Sequence, residues 1–162
     1  LIGKNCSCNI LSALFLNKNE HQEIKTRINH LVPDCKSYQR VKKVLDSESK
    51  GIFQGKIYVK DEAQKTNAYQ LSKALLLHDD AEFNSKPELE IYADDVKCSH
   101  GSTSGSIDED SLHYLMTRGL NRKESTNLLI KGFLNDVVEF IKNPKIKEFV
   151  ENKLEEQING HK

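Results

Sequence analysis

The chain has no excess of either charge: 24 Lys and Arg residues balance 24 Asp and Glu residues over 162 positions. A zero formal net charge argues against bulk electrostatic capture of nucleic acid or of an anionic membrane. Long hydrophobic runs are also missing. The longest, Ile10 to Leu16, is broken by Ser12 and falls well short of a membrane span. No segment combines a basic start, an apolar centre and a small-residue cleavage site, so no secretory signal is expected. Cysteine is sparse: Cys6, Cys8, Cys35 and Cys98 are too few and too uneven for a disulfide framework. Cys6-x-Cys8 is tighter than the usual zinc-ligand spacing, and reduced thiols in a cytoplasmic protein are the expectation. Asn5-Cys6-Ser7 fits a glycosylation sequon but, without a signal, is expected to be incidental. The chain opens on Leu1 and its sole methionine is Met116, so it reads as a fragment or a processed product.

What is present suits one domain, or one domain with an appendage: 37% hydrophobic and 30% charged residues, polar but too apolar for wholesale disorder. Ile24, Thr26, Ile28 and His30 alternate with charged or polar neighbours. Phe53, Gly55, Ile57 and Val59 do the same, as do Leu89, Ile91 and Ala93. A period of two predicts half-buried strands. Ile10–Leu16 and Leu71–Leu77 are denser apolar runs, and Val41–Leu45 is a weaker one. Turn-forming groups separate them: Asn17-Lys18-Asn19, Pro33-Asp34, Asp46-Ser47-Glu48-Ser49 and Asn84-Ser85-Lys86-Pro87. Ile10, Ile24, Tyr38 and Ile52 are 14 residues apart in turn. Short strands at regular spacing suggest a sandwich, a barrel or a solenoid, although residue identity does not repeat.

After Gly105 the period becomes helical. Ser106-Ile107-Asp108-Glu109 has the form of a capping box, followed by Leu112, Leu115 and Met116 and by a stop at Gly119. Asn121-Arg122-Lys123-Glu124 opens a second helix, and Asn143-Pro144 opens a third through Ile146, Phe149, Val150, Leu154 and Ile158. The expected architecture is mainly β with α, residues 1–105 forming a β region and residues 106–162 a helical one.

Candidate chemistry is limited. Gly101-Ser102-Thr103-Ser104-Gly105 looks like a phosphate cradle but lacks the Gly-Lys-Ser/Thr ending of a P-loop, and reads as a flexible strand-to-helix connection. Asp94-Asp95 reads as a turn or surface pair. His21, His30, His78, His113 and His161 show no mutual spacing that assembles a site. Cys98-Ser99-His100 differs: on an extended segment, positions i and i+2 project from one face. A thiolate beside an imidazole suits zinc, copper(I) or iron–sulfur chemistry, or a nucleophile and its base; it also fits an incidental pair, being short of four ligands.

The longer string Lys86-Pro87-Glu88-Leu89-Glu90-Ile91-Tyr92-Ala93-Asp94-Asp95-Val96-Lys97-Cys98-Ser99-His100-Gly101 resembles the SufD branch of the SufB/SufD family, part of the SufBCD iron–sulfur cluster assembly system. The resemblance extends to Lys50-Gly51-Ile52-Phe53-Gln54-Gly55-Lys56-Ile57 and to Tyr114-Leu115-Met116-Thr117-Arg118-Gly119-Leu120. The SufB branch has a Glu-His-Glu type sequence where this chain has Cys98-Ser99-His100-Gly101. The resemblance implies the terminal coils of a right-handed parallel β-helix followed by a C-terminal helical domain. It implies a scaffold subunit rather than an enzyme, pairing with SufB and docking the SufC ATPase. Cys98 and His100 would take part in assembling a nascent iron–sulfur cluster shared with SufB, and the isolated fragment would hold none. Tyr114, Arg118 and Gly119 would lie at the SufC contact, and a homodimer is expected where SufB is absent. Counting through unbroken alternation places Glu90, Tyr92, Asp94 and Val96 on the face of Cys98 and His100, turned toward the partner. A stand-alone Cys/His enzyme and a purely structural interaction protein are the alternatives.

Overall fold

The computed structural model describes residues 1–160. Seven strands of ten residues each come first: β1 Ser7–Leu16, β2 His21–His30, β3 Lys36–Leu45, β4 Lys50–Val59, β5 Asn67–Leu76, β6 Glu82–Ile91 and β7 Lys97–Ser106. Three helices follow: α1 Glu109–Thr117, α2 Arg122–Val138 and α3 Pro144–Asn159. Odd strands form one open sheet in the order β1-β3-β5-β7, and even strands form a second in the order β2-β4-β6. All pairings are parallel and in continuous register. The result is a parallel β-solenoid of about three turns, two strands to a turn, and not a closed barrel. Successive turns are offset by 29, 29, 31, 32 and 30 residues. The 14-residue spacing in the sequence is therefore half a turn.

Period-two alternation sends one face of every strand inward. In β4, Gly51, Phe53, Gly55, Ile57 and Val59 are buried, while the residues between them are half-buried outside. The corners turn on single residues in the left-handed region: Lys18, Asp34, Ser47 and Lys65 have φ between 55° and 61°. Asp34 is the most favourable of these, since a short polar side chain tolerates that conformation best.

The helices cover the outer face of the odd-strand sheet. Phe15 of β1 and Val44 of β3 pack with Ile130 and Leu134 of α2 and Ile158 of α3. This explains why Val41 to Leu45 is buried without interruption: odd positions face the interior and even positions face the helices. Lys42 lies in that run because its Nζ reaches Asp136 Oδ2 at 2.6 Å and donates to the Phe133 carbonyl at 2.8 Å. Arg40 meets the other Asp136 oxygen at 2.6 Å. The expected helix caps at Asn121, with its reciprocal Glu124, and at Asn143 before Pro144 are present. Along α3, however, Ile146 and Phe149 are exposed, and only Ile158 is fully buried.

Three local expectations are corrected. The turn expected at Asn84–Pro87 is the middle of β6. Glu82 N donates to the carbonyl of Ser49, just before β4, and Tyr92 N to that of Val59 in β4, so even-numbered amides face β4 and position 87 faces the open edge. A proline there forfeits no ladder bond. The Gly101–Gly105 connection is β7, paired throughout with β5; the backbone ladder holds this edge strand although its outer side chains pack little. The link to α1 is shorter, Ile107-Asp108. Ser106 ends β7 instead of capping α1, and the N-cap is Asp108, whose carboxylate accepts from Ser111 N at 2.9 Å.

Candidate functional site

Cys98 and His100 stand two positions apart on β7, the last strand of the solenoid. Their register partners on β5 are Ala68 and Gln70, both buried in the interior. The two side chains therefore share one face, as the spacing predicts, and it is the inward face. Cys98 packs against the cluster of Ile57, Val59, Ala63, Ala68 and Ala93, together with Leu89 and Val96. His100 is exposed, because no further strand lies over β7 in the described residues.

The expected company of Glu90, Tyr92 and Asp94 is not found. The chain bends at Asp94-Asp95, and β6 and β7 belong to different sheets, so alternation does not carry across. Glu90 and Tyr92 lie outside, the Tyr92 hydroxyl donating to Glu90 Oε1 at 2.8 Å and Lys56 pairing with the same carboxylate. The Asp94-Asp95 bend is exposed, as a turn should be, and is tied down by Asp95 N donating to Gln64 Oε1 at 2.9 Å.

Burial pushes the Cys98 thiol above its ordinary pKa, against a smaller opposing effect from a backbone hydrogen bond at Ala68. A raised thiol is a poor spontaneous nucleophile, and it becomes a ligand only when a metal displaces its proton. Among the described residues no group of three or more His, Cys, Asp or Glu could hold a metal ion. Cys98 and His100 are a pair. The other cysteines are free thiols; Cys35 is buried and donates to the Gly3 carbonyl at 3.2 Å. His30 is a buried interior residue, with Nε2 2.9 Å from Ser37 Oγ. His161 lies outside the described residues.

Sequence reading missed the polar interior beneath the pair. Thr26 Oγ1 donates to Gln39 Oε1 at 2.7 Å, Gln39 Nε2 to Gln70 Oε1 at 3.1 Å, and Gln70 Nε2 to the Gly55 carbonyl at 3.3 Å. Ser72 Oγ lies 2.8 Å from Ser85 Oγ and donates to Ser102 Oγ at 3.2 Å. The available signal was the full-turn spacing, 31 residues from Gln39 to Gln70 and 30 from Gln70 to His100, twice the half-turn period.

Tyr114, Arg118 and Gly119 meet at the C-terminal end of α1. The Arg118 guanidinium lies 5.1 Å from the Tyr114 ring centroid, Tyr114 is exposed, and Gly119 takes a φ of 99° that favours glycine. No helix among the described residues is long and apolar enough to cross a membrane.

Residues 1–133 match the family model for the SUF system FeS cluster assembly, SufBD core domain. The chain is 34% identical over 160 residues to the iron-sulfur cluster assembly protein SufD of Escherichia coli (strain K12), covering 99% of this chain and 38% of that protein. It is 31% identical over 137 residues to SufD of Bacillus subtilis (strain 168), covering 85% and 31%, respectively. It is also 40% identical over 109 residues to the chloroplastic protein ABCI7 of Arabidopsis thaliana, covering 67% and 23%. The chain thus spans at most 38% of the length of these relatives. It belongs to the SufBD core family.

Proposed function

From membership in this family, we propose that the chain is the part of a SufD-type scaffold subunit that pairs with SufB, docks the SufC ATPase and helps assemble an iron–sulfur cluster in the cytoplasm. The observation that carries this reading is the Cys98–His100 pair at the uncovered end of the solenoid. Two soft ligands sit side by side with no third of their own among the described residues. Clusters usually take four protein ligands, so the remainder comes from a facing subunit, SufB. The nascent cluster is cargo shared across that interface. Residues 1–105 supply the β-helix and the SufB face, and residues 106–162 supply the helical part. Tyr114, Arg118 and Gly119 present an exposed aromatic and a guanidinium at one helix end to SufC. The upward shift of the Cys98 thiol favours this non-catalytic role over a Cys/His nucleophile.

Co-expression with SufB and SufC tests it. A three-component complex should form, and Cys98→Ala or His100→Ala should impair cluster formation without loss of complex. Tyr114→Ala with Arg118→Ala should reduce SufC capture and leave SufB pairing intact. These surface changes are preferable to deleting residues 107–162, which would uncover Phe15 and Val44. Full cluster assembly by the Cys98→Ala/His100→Ala double variant would sink the shared site, as would tight stoichiometric iron binding by the chain alone.

A further inference from the structure

Cys6 and Cys35 are far apart in sequence and neighbours in the fold. They immediately precede Ser7 of β1 and Lys36 of β3, which are register partners 29 residues apart. The pairing extends one step further back, because Lys36 N donates to the Cys6 carbonyl at 2.8 Å. The corners that deliver the two cysteines turn alike. Asn5 and Asp34, the residues before them, both lie in the left-handed region, with φ of 57° and 61°. Positions 6 and 35 are therefore stacked equivalents on successive turns. Neighbouring strands of a sheet stand about 4.8 Å apart. A disulfide spans Cα atoms about 4.4–6.8 Å apart. Neither remaining cysteine has such a neighbour: Cys8 stands beside Ser37, and Cys98 beside Ala68.

Both sulfurs lie against one residue. The Cys35 thiol donates to the Gly3 carbonyl at 3.2 Å. A Cβ at Gly3 would stand 3.3 Å from Cys6 Sγ, tighter than packed side chains ordinarily come. Glycine at position 3 thus leaves room for two thiols at one corner. Cys35 is fully buried and Cys6 half-buried. One thiol is open to a reagent and the other stands behind it, as in a reacting cysteine and its resolving partner. Both cysteines lie outside the strands, so the approach that a bond requires falls on a corner.

We infer that Cys6 and Cys35 are an oxidation site, closing to a disulfide that staples two successive turns of the solenoid. The co-reactant is hydrogen peroxide. The Cys6 thiolate attacks one peroxide oxygen, the O–O bond breaks, and the departing hydroxide takes up the Cys6 proton as water. Cys6 is then a sulfenic acid. The Cys35 sulfur attacks Cys6 Sγ, the S–O bond breaks, and the second hydroxide leaves with the Cys35 proton as water. Two thiols and one peroxide become one disulfide and two waters, the sulfurs giving up two electrons to the peroxide. The bond closes a loop of one solenoid turn and so restricts the unfolded chain.

The test is oxidation of the folded chain with one equivalent of hydrogen peroxide, then alkylation of the remaining thiols in denaturant, digestion without reductant and mass spectrometry. Alkylatable thiols should fall from four to two, leaving Cys8 and Cys98, and the cross-linked peptide should join Cys6 to Cys35. Oxidised wild type should unfold at a higher urea concentration than reduced wild type. Dithiothreitol should abolish that difference, and Cys6→Ser and Cys35→Ser should each lack it. Oxidation in urea removes the juxtaposition that the fold supplies, so the Cys6–Cys35 link should lose its predominance there. A bond from Cys6 to Cys8, a bond between chains, or a Cys6 sulfinic acid beside an alkylatable Cys35 would overturn the inference. So would equal yields of the link with and without urea.

Discussion

His30 shows what a polar interior costs one residue. Burial lowers its pKa to about 4, and its Nδ1 is buried with no partner among the described residues. The folded pKa lies below the ordinary value of 6.5, so between those two values the unfolded chain binds the proton and the folded chain does not. Stability from this group is therefore complete above pH 6.5 and is lost as the pH falls toward 4. The loss should reach at most about 3 kcal/mol. Urea unfolding of wild type and His30→Gln across that window measures it: the wild-type midpoint should fall more steeply. Parallel pH dependences would show that another group governs the acid limb. Lys43 is the basic counterpart. Its Nζ donates to the carbonyls of Gln22 and Ile52, and burial lowers its pKa to about 8, so its contribution improves as the pH rises above that value. Gly51 makes room for it, since a Cβ there would lie 2.9 Å from the Lys43 side chain.

Among the elements, α2 decides whether the helices stay on the sheet. Leu134 is fully buried between Phe15, Val44 and Ile158. Leu134→Ala should cost about 2–5 kcal/mol, as large-to-small core changes do. Denaturant unfolding checks this, and a loss under about 1 kcal/mol would show that the helices contribute little to holding the fold. The strands and two of the helix starts were legible because each rests on a local rule: alternation for β2 and β4, and side-chain caps for α2 and α3. Strands β6 and β7 were obscured for a physical reason. Both are edge strands, where a proline can face outward and glycines can be held by backbone bonds alone, so turn-forming residues sit inside a ladder. The Asp108 cap was missed because Ser106 satisfies the same pattern two residues earlier. The pairing of Cys98 with His100 followed from spacing, but the direction they face did not, because it depends on the bend at Asp94-Asp95.

At the scale of the molecule, each turn of the solenoid touches only the turns beside it. Strands β3, β4 and β5 are hydrogen-bonded on both sides, whereas β1, β2, β6 and β7 each have one open edge among the described residues. Native-state hydrogen exchange should therefore be slowest in the three central strands and faster in the four edge strands, with SufB slowing β6 and β7 if it covers them. Equal protection of β7 and β4 in the isolated chain would contradict this order. The registers also carry a consequence for how such a protein changes over evolutionary time. Every strand has ten residues, yet turns differ by as much as three residues, from 29 to 32. All of that variation is absorbed at the corners. A residue inserted at a corner lengthens one turn and leaves the stacked columns aligned. A single residue inserted within a strand exchanges inside for outside over the rest of that strand. Lineages of this fold are thus free to drift in length at the corners, while the strands between them keep a fixed count.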